Sequence, residues 1–183
     1  MYKVAVIVGS LRKESFNRKL ALALDKLKHG NLQFLLTKID DVPLYNQDNE
    51  NDLPPAVARL KNDIKAADAV LFVTPEYNRS IPGVLKNIID WGTRPYGQNS
   101  WAAKPTGIIG TSPGVIGTAV AQSHLRSILS TINVPLLAFP EIYLVYKEEL
   151  IDKDFTITNQ DTVKFLKGYL ERFNDWIKAH QTK

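Results

Sequence analysis

Five times along the chain, a short apolar run gives way to a segment whose apolar residues recur at helical spacing. Val4–Val8 is continuously apolar, the pattern of a parallel strand buried on both faces. Phe16, Leu20, Ala23, Leu24 and Leu27 then fall on one side of a helix. Leu32–Ile39 suits a second strand. Val57, Leu60, Ile64 and Ala67 mark a second helix, opened by Pro54-Pro55. Ala69–Val73 reads as a third strand, and Val84, Leu85, Ile88, Ile89 and Trp91 as a third helix with Pro82 at its start. Thr106–Gly110 is a short fourth strand, followed by helical spacing at Ala121, Leu125, Ile128, Leu129 and Ile132. Val134–Phe139 suits a fifth strand, and Val163, Leu166, Leu170, Phe173 and Ile177 a closing helix.

Such alternation implies an α/β fold, a doubly wound parallel sheet with helices on both faces. Right-handed crossovers leave few topologies. Five strands fit the flavodoxin-like order 2-1-3-4-5 better than the six-stranded dinucleotide fold. The 183 residues are enough for one domain with a sizeable core, taken as 1–183, and no repeat or linker divides them. One connection is long, Asp40–Leu53, a length that suits a lid or a subunit contact more than a plain link.

Composition narrows the chemistry. There is no cysteine, which removes disulfides, thiolate nucleophiles and iron–sulfur clusters. His29, His124 and His180 lie far apart, without metal-ligand spacing, so no metal site is expected. Redox work would need an organic cofactor. The net charge of +4 comes from scattered basic residues, without a Lys/Arg run or nucleic-acid module. That argues against nucleic acid and leaves attraction of a phosphorylated ligand. No apolar run is long enough to span a bilayer, and Val4–Val8 is too short for a signal sequence. The expectation is a cytoplasmic protein with no membrane partner.

In this fold class ligands bind beyond the carboxyl ends of the strands. Three loops lie there. In "GSLRKESFN" (Gly9 to Asn17), Gly9 permits a tight turn, Ser10, Ser15 and Asn17 are short and polar, and Arg12 is a fixed cation. With Ser15 as N-cap, helix N–H groups, hydroxyls and a guanidinium make a phosphate site. The alternative is an ordinary capped helix with surface serines. The single glycine excludes G-x-G-x-x-G, and the P-loop pattern is absent, so a monophosphate fits better than a diphosphate. In Pro75-Glu76-Tyr77-Asn78, Pro75 ends the strand, Tyr77 offers a flat face and Asn78 can meet a heterocycle edge. Alternatively Tyr77 is half buried and Asn78 caps the next helix. In "GTSPGVIGT", Gly110, Gly114 and Gly117 permit close backbone approach. A ligand with one phosphate and a flat ring would suit all three, and flavin mononucleotide (FMN) has that shape.

The segments "VGSLRKESFNRKLA", "LYNQD", "TPEYNRSIPGVLKNIIDWGTRP" and "SPGVIG…AQSHLR" resemble the NADPH-dependent FMN reductase family, nearest its bacterial chromate/quinone reductase branch. The likeness runs from the first strand to about Arg126. It implies that Ser10, Arg12, Ser15, Phe16 and Asn17 hold the FMN phosphate and ribityl chain. Pro75, Glu76, Tyr77 and Asn78 would line the ring, with Ser112 and Gly114 approaching from the third loop. One position departs: many relatives have glycine where this chain has Thr118, which bears on how the third loop closes. The family also implies a homodimer or homotetramer, with Leu44-Tyr45-Asn46-Gln47-Asp48 near the interface.

The expected activity is a ping-pong transfer of hydride from NADPH or NADH through FMN to a small-molecule acceptor. That acceptor could be a quinone, an azo compound, free flavin or an oxidised metal anion. No side chain need act as acid or base. Arg79, Arg94 and Lys104 are candidates for the 2′-phosphate of NADPH, against the simpler reading of solvated surface charges. Two rival classes are a flavodoxin-type electron carrier and a hydrolase using Ser10 or Ser112 with His124.

Overall fold

The computed structural model describes residues 1–28 and 30–181, so His29 lies outside the described residues. The elements in order are β1 (Tyr2–Val8), α1 (Phe16–Leu27), β2 (Leu32–Leu36), α2 (Pro55–Ala66), β3 (Ala69–Val73), α3 (Gly83–Thr93), β4 (Thr106–Ser112), α4 (Ala119–Ser130), β5 (Tyr143–Val145) and α5 (Gln160–Ala179). The strands form a sheet in the order 2-1-3-4-5, each pairing parallel. This is the expected doubly wound, flavodoxin-like arrangement.

Side-chain alternation along each strand divides the core. Val4, Val6, Leu71 and Val73 meet Leu20 and Leu24 of α1 and Leu166, Leu170 and Phe173 of α5. Ala5, Ile7, Val70 and Phe72 meet Leu60 and Ile64 of α2, Leu85 and Ile88 of α3, and Leu125 and Leu129 of α4. Both faces are covered, which is why the strands read as unbroken apolar runs. At roughly 1.5–3 kcal/mol per fully buried aliphatic side chain, these two layers dominate the stability.

The fifth strand departs from the sequence reading. Among the described residues, Val134–Phe139 pairs with the sheet through a single bridge from Leu136 to Thr106, with Thr106 N–H donating to Pro135 O and Leu137 N–H to Thr106 O. The chain then leaves the sheet at Phe139-Pro140 and returns as β5, beside Gly110–Ser112. Pro135 and Pro140 carry no N–H for a ladder, so the edge strand is split around them. β2 is also shorter than expected and ends at Leu36, although Ile39 remains buried.

Among the described residues, no helix is long and apolar enough to cross a membrane, and no group of three or more His, Cys, Asp or Glu could hold a metal ion.

Candidate functional site

The loops after β1, β3 and β4 meet above the carboxyl ends of their strands. They enclose a cavity of about 220 Å³ lined by Ser10, Arg12, Ser15, Phe16, Asn17, Pro75, Glu76, Tyr77, Thr111, Ser112 and Pro113. Nine of the eleven residues expected at the site are in this set. Asn78 and Gly114 are not. Gly114 lines an adjoining cavity of about 350 Å³ with Glu76, Arg79, Ser112 and Val115–Gly117.

The first loop is built as a helix start. Ser15 is buried, and its Oγ accepts the N–H of Arg18 at 3.2 Å, the N-cap expected from its position. The first turn of α1 carries no acidic residue, so nothing on the helix neutralises the positive end of its dipole. The Arg12 guanidinium lies over the Phe16 ring, 4.9 Å from its centroid. Gly9 serves close packing: a Cβ there would stand 2.9 Å from Thr74 Oγ1.

Asn17 has a role that its sequence position conceals. Its amide donates to Thr111 O at 2.9 Å, and its Oδ1 accepts the Thr111 N–H at 3.0 Å. It therefore locks the first loop to the end of β4.

The second loop is a tight reversal. Tyr77 and Ser80 exchange N–H···O bonds of 3.0 Å in both directions. Asn78 and Arg79 between them have φ of 51° and 63°. Positive φ at both central positions is the pattern of a type I′ turn, where Asn is favoured for its backbone tolerance. Asn78 thus shapes the turn; the start of α3 at Pro82 has no side-chain cap. Tyr77 is 49% exposed at the rim, and its N–H is engaged by Ser80.

Glu76 reaches across the rim. Its Oε2 accepts the N–H groups of Val120 at 3.0 Å and Ala121 at 3.1 Å, at the start of α4. The other oxygen faces Arg79 at 3.4 Å. Thr118, at the N-cap position, does not cap the helix with its own side chain, so Glu76 takes that task.

The third loop closes on itself. Ser112 Oγ donates to Gly117 O, and Gly117 adopts φ +63°. A Cβ at Gly110 would lie 2.2 Å from Thr74 O, so this glycine faces protein and not the cavity. Only Gly114 of the three faces open space. Thr118 is fully buried at φ −128°, its Oγ1 accepting from Gln122 Nε2 at 2.8 Å. Its backbone conformation needs no glycine, and the loop closes without one.

Other expectations are corrected. Arg94 is ion-paired with Glu50, at 2.5 Å from Nε to Oε1, and Tyr45 Oη donates to the same oxygen at 2.6 Å. The Arg94 bond first, then that of Tyr45, holds the Glu50 carboxyl below its ordinary range. Lys104 Nζ donates to the carbonyls of Lys65 and Ala67, near the opposite ends of the strands from the cavity. Neither cation is a simple solvated charge, and neither lines the cavity. Arg79 remains at the rim, 64% exposed. The Asp40–Leu53 loop is anchored rather than loose. Tyr45 N–H donates to Asn87 Oδ1, Asn87 and Trp91 both donate to Pro43 O, and the Tyr45 ring meets Trp91 edge-on. Leu44 stays 83% exposed. His124 Nδ1 faces Ser80 Oγ at 3.1 Å, so the Ser10 or Ser112 pairing with His124 that a hydrolase would need is not assembled.

Comparison with known proteins gives a consistent picture. The 2-hydroxy-1,4-benzoquinone reductase of a Burkholderia species is 47% identical over 176 residues, covering 96% of both chains. A quinone reductase of Pseudomonas putida is 47% identical over 182 residues, covering 99% of this chain and 97% of its own. The solved structure of FerB from Paracoccus denitrificans, described as a flavoenzyme NAD(P)H:(acceptor) oxidoreductase, matches with a TM-score of 0.95 and 51% identity. That match covers 98% of this chain and 99% of FerB. Residues 2–147 match the model of the NADPH-dependent FMN reductases, and the chain belongs to that family.

Proposed function

We propose that this chain, as one cofactor-binding domain over residues 1–183, is an FMN-dependent NAD(P)H:quinone oxidoreductase. The observation that carries the reading is the single cavity in which a capped helix start and Arg12 meet the Pro75–Tyr77 elbow and Ser112. The donor set suits FMN: a hydroxyl, a guanidinium and a helix whose first turn carries no acidic residue for a phosphate, with the preceding Glu14 turned onto Lys19 at 3.1 Å, and Tyr77 and Pro75 for a flat ring. Ser10, Arg12, Ser15 and Phe16 would hold the phosphate end, with Asn17 fixing their loop to β4. Pro75, Glu76, Tyr77 and Asn78 would shape the ring end, with Ser112 and Gly114 on the third side.

When bound, FMN supplies two-electron chemistry, accepting hydride from NAD(P)H and passing it to an acceptor. The protein's part is to bind, orient and screen. No acid or base is assigned among its side chains. A half-exposed Tyr77 leaves the rim open, which fits nicotinamide and acceptor using one face in turn, a ping-pong order. The names of the relatives favour a quinone as acceptor. Azo compounds, chromate and free flavin are further candidates for an open site. The reading includes a cytoplasmic homodimer or homotetramer without nucleic-acid or membrane partners, with the exposed Leu44 offered to a second subunit.

Purified protein should be yellow, release FMN on denaturation, and oxidise NAD(P)H with a quinone and no partner reductase. Parallel double-reciprocal lines would support the ping-pong order. Colourless protein that takes up no FMN would overturn the reading.

A further inference from the structure

We infer that Tyr146 is a positioning residue for the cofactor phosphate, acting through the Phe16 ring on Arg12. The inference rests on the reading that Arg12 binds that phosphate. Tyr146 follows β5 and is 8% exposed. Its backbone N–H donates to Ser112 O at 2.8 Å, which fixes it to the third loop of the cavity. Its ring stacks on Phe16, with centroids 3.9 Å apart and planes 19° from parallel. Phe16 in turn carries the Arg12 guanidinium, 4.9 Å from its centroid. A guanidinium laid on an aromatic face keeps its charge and donors while losing much of its rotational freedom. Arg12 is otherwise exposed, and among the described residues it forms no ion pair that would hold it in place. The stack therefore prearranges a cation beside the start of α1, where an anion binds best.

The plainer role for Tyr146 is to fill the apolar cluster it shares with Ile151, Ile157 and Phe155. The two roles differ in one readout. A space-filling role affects every flavin alike, whereas a role through Arg12 affects only a ligand with a phosphate. FMN and riboflavin are titrated into flavin-free full-length protein, for the wild type, Arg12→Ala, Tyr146→Leu, Tyr146→Phe and the Arg12→Ala/Tyr146→Leu double variant.

Tyr146→Leu should weaken FMN binding about three- to tenfold and leave riboflavin binding within about twofold. Tyr146→Phe, which keeps the ring, should restore wild-type affinity. In the Arg12→Ala background the Tyr146→Leu change should have no further effect on FMN. Equal weakening of both flavins, or additive effects in the double variant, would overturn the inference. If Arg12→Ala weakens FMN but Tyr146→Leu does not, the inference falls alone. If Arg12→Ala leaves FMN affinity unchanged, the phosphate reading falls with it. Should Tyr146→Leu not fold, Tyr146→Met removes the aromatic face with a smaller loss of volume, and the same phosphate-selective loss is expected; a loss shared with riboflavin overturns the inference.

Discussion

Asn17 and Thr111 hold each other by a reciprocal pair of hydrogen bonds, 2.9 and 3.0 Å long, between positions 94 residues apart. The pair is buried and joins the start of α1 to the end of β4. Removing the amide would leave both the N–H and the C=O of Thr111 buried without a partner, at about 1–3 kcal/mol for each group. Asn17→Ala is therefore expected to destabilise the protein by about 3 kcal/mol in urea unfolding. Asn17→Asp should recover only part of this. It still accepts the Thr111 N–H but sets a carboxylate oxygen against Thr111 O.

Glu76 gives a second test of how the rim is held. Its carboxylate caps α4 by accepting from Val120 and Ala121. Loss of such a cap costs about 0.5–2 kcal/mol. Glu76→Ala should lower Tm and weaken FMN binding together, because the second and third loops are no longer tied. Glu76→Gln keeps an acceptor oxygen and loses only the charge, so it should fall between the two. Equal Tm for wild type and Glu76→Ala would show that the cap contributes nothing.

The difference between these two residues and their neighbours explains what was legible in the sequence. β1, β3 and all five helices can be read from local apolar pattern, because strands buried on both faces have no polar positions and each helix buries one apolar side. Ser15 was legible as a cap because its partner is three residues away. Asn17 and Glu76 stand within the site motifs, but their bonds run 94 and 44 residues along the chain, and no local signal encodes that. The partners of Arg94 and Lys104 are hidden for the same reason: Glu50 and the carbonyls at the end of α2 meet them only in the folded chain. The split fifth strand failed on a different ground. Three residues at a sheet edge are too few to show a period, whereas the apolar stretch before them looked like a whole strand. Tyr146 lay past the reach of the motif likeness altogether.

Gly110 tests the close approach of β3 and β4 beneath the cavity. A methyl group there would lie 2.2 Å from Thr74 O and 2.3 Å from Thr118 Oγ1. Backbone cannot yield that distance without opening the sheet. Gly110→Ala is expected to cost about 3 kcal/mol or more, seen as a large loss of Tm or of soluble protein. Gly83→Ala, where an added Cβ meets nothing within 4 Å, serves as the control and should be tolerated.

Arg79 sits at φ 63°, a region that carries a steric cost of roughly 1–2 kcal/mol for residues with a Cβ. Arg79→Gly removes that cost but gives the unfolded chain more freedom, about 0.4–1 kcal/mol, and loses a weak exposed pair with Glu76. The net expectation is a gain of up to about 1 kcal/mol, measured as a raised urea midpoint with unchanged slope. Lower stability would mean that Arg79 is held there by more than the ion pair with Glu76.

Lys61 provides a pH test whose sign differs from that of most buried ion pairs. The residue is 3% exposed, and its Nζ donates to the carbonyls of Gly92, Arg94 and Gln98, gathering the chain after α3. Burial, and then the charge of nearby Lys65, pushes its pKa down from 10.5 to about 8. Below about pH 8 both folded and unfolded chains carry the proton, and the full cost of burying the charge is present. Between that value and 10.5 the unfolded chain still holds a proton that the folded chain has released. Stability rises with pH wherever the unfolded state binds more protons, so the cost is relieved across this window. Compared with Lys61→Met, the wild type should gain about 2 kcal/mol between about pH 7 and about pH 9.5. Urea unfolding of both proteins at the two pH values gives the difference directly. Tyr143, whose pKa burial raises to about 12, titrates in both proteins alike and cancels. A difference that does not change with pH would mean that the three carbonyls stabilise the ammonium enough to offset its burial.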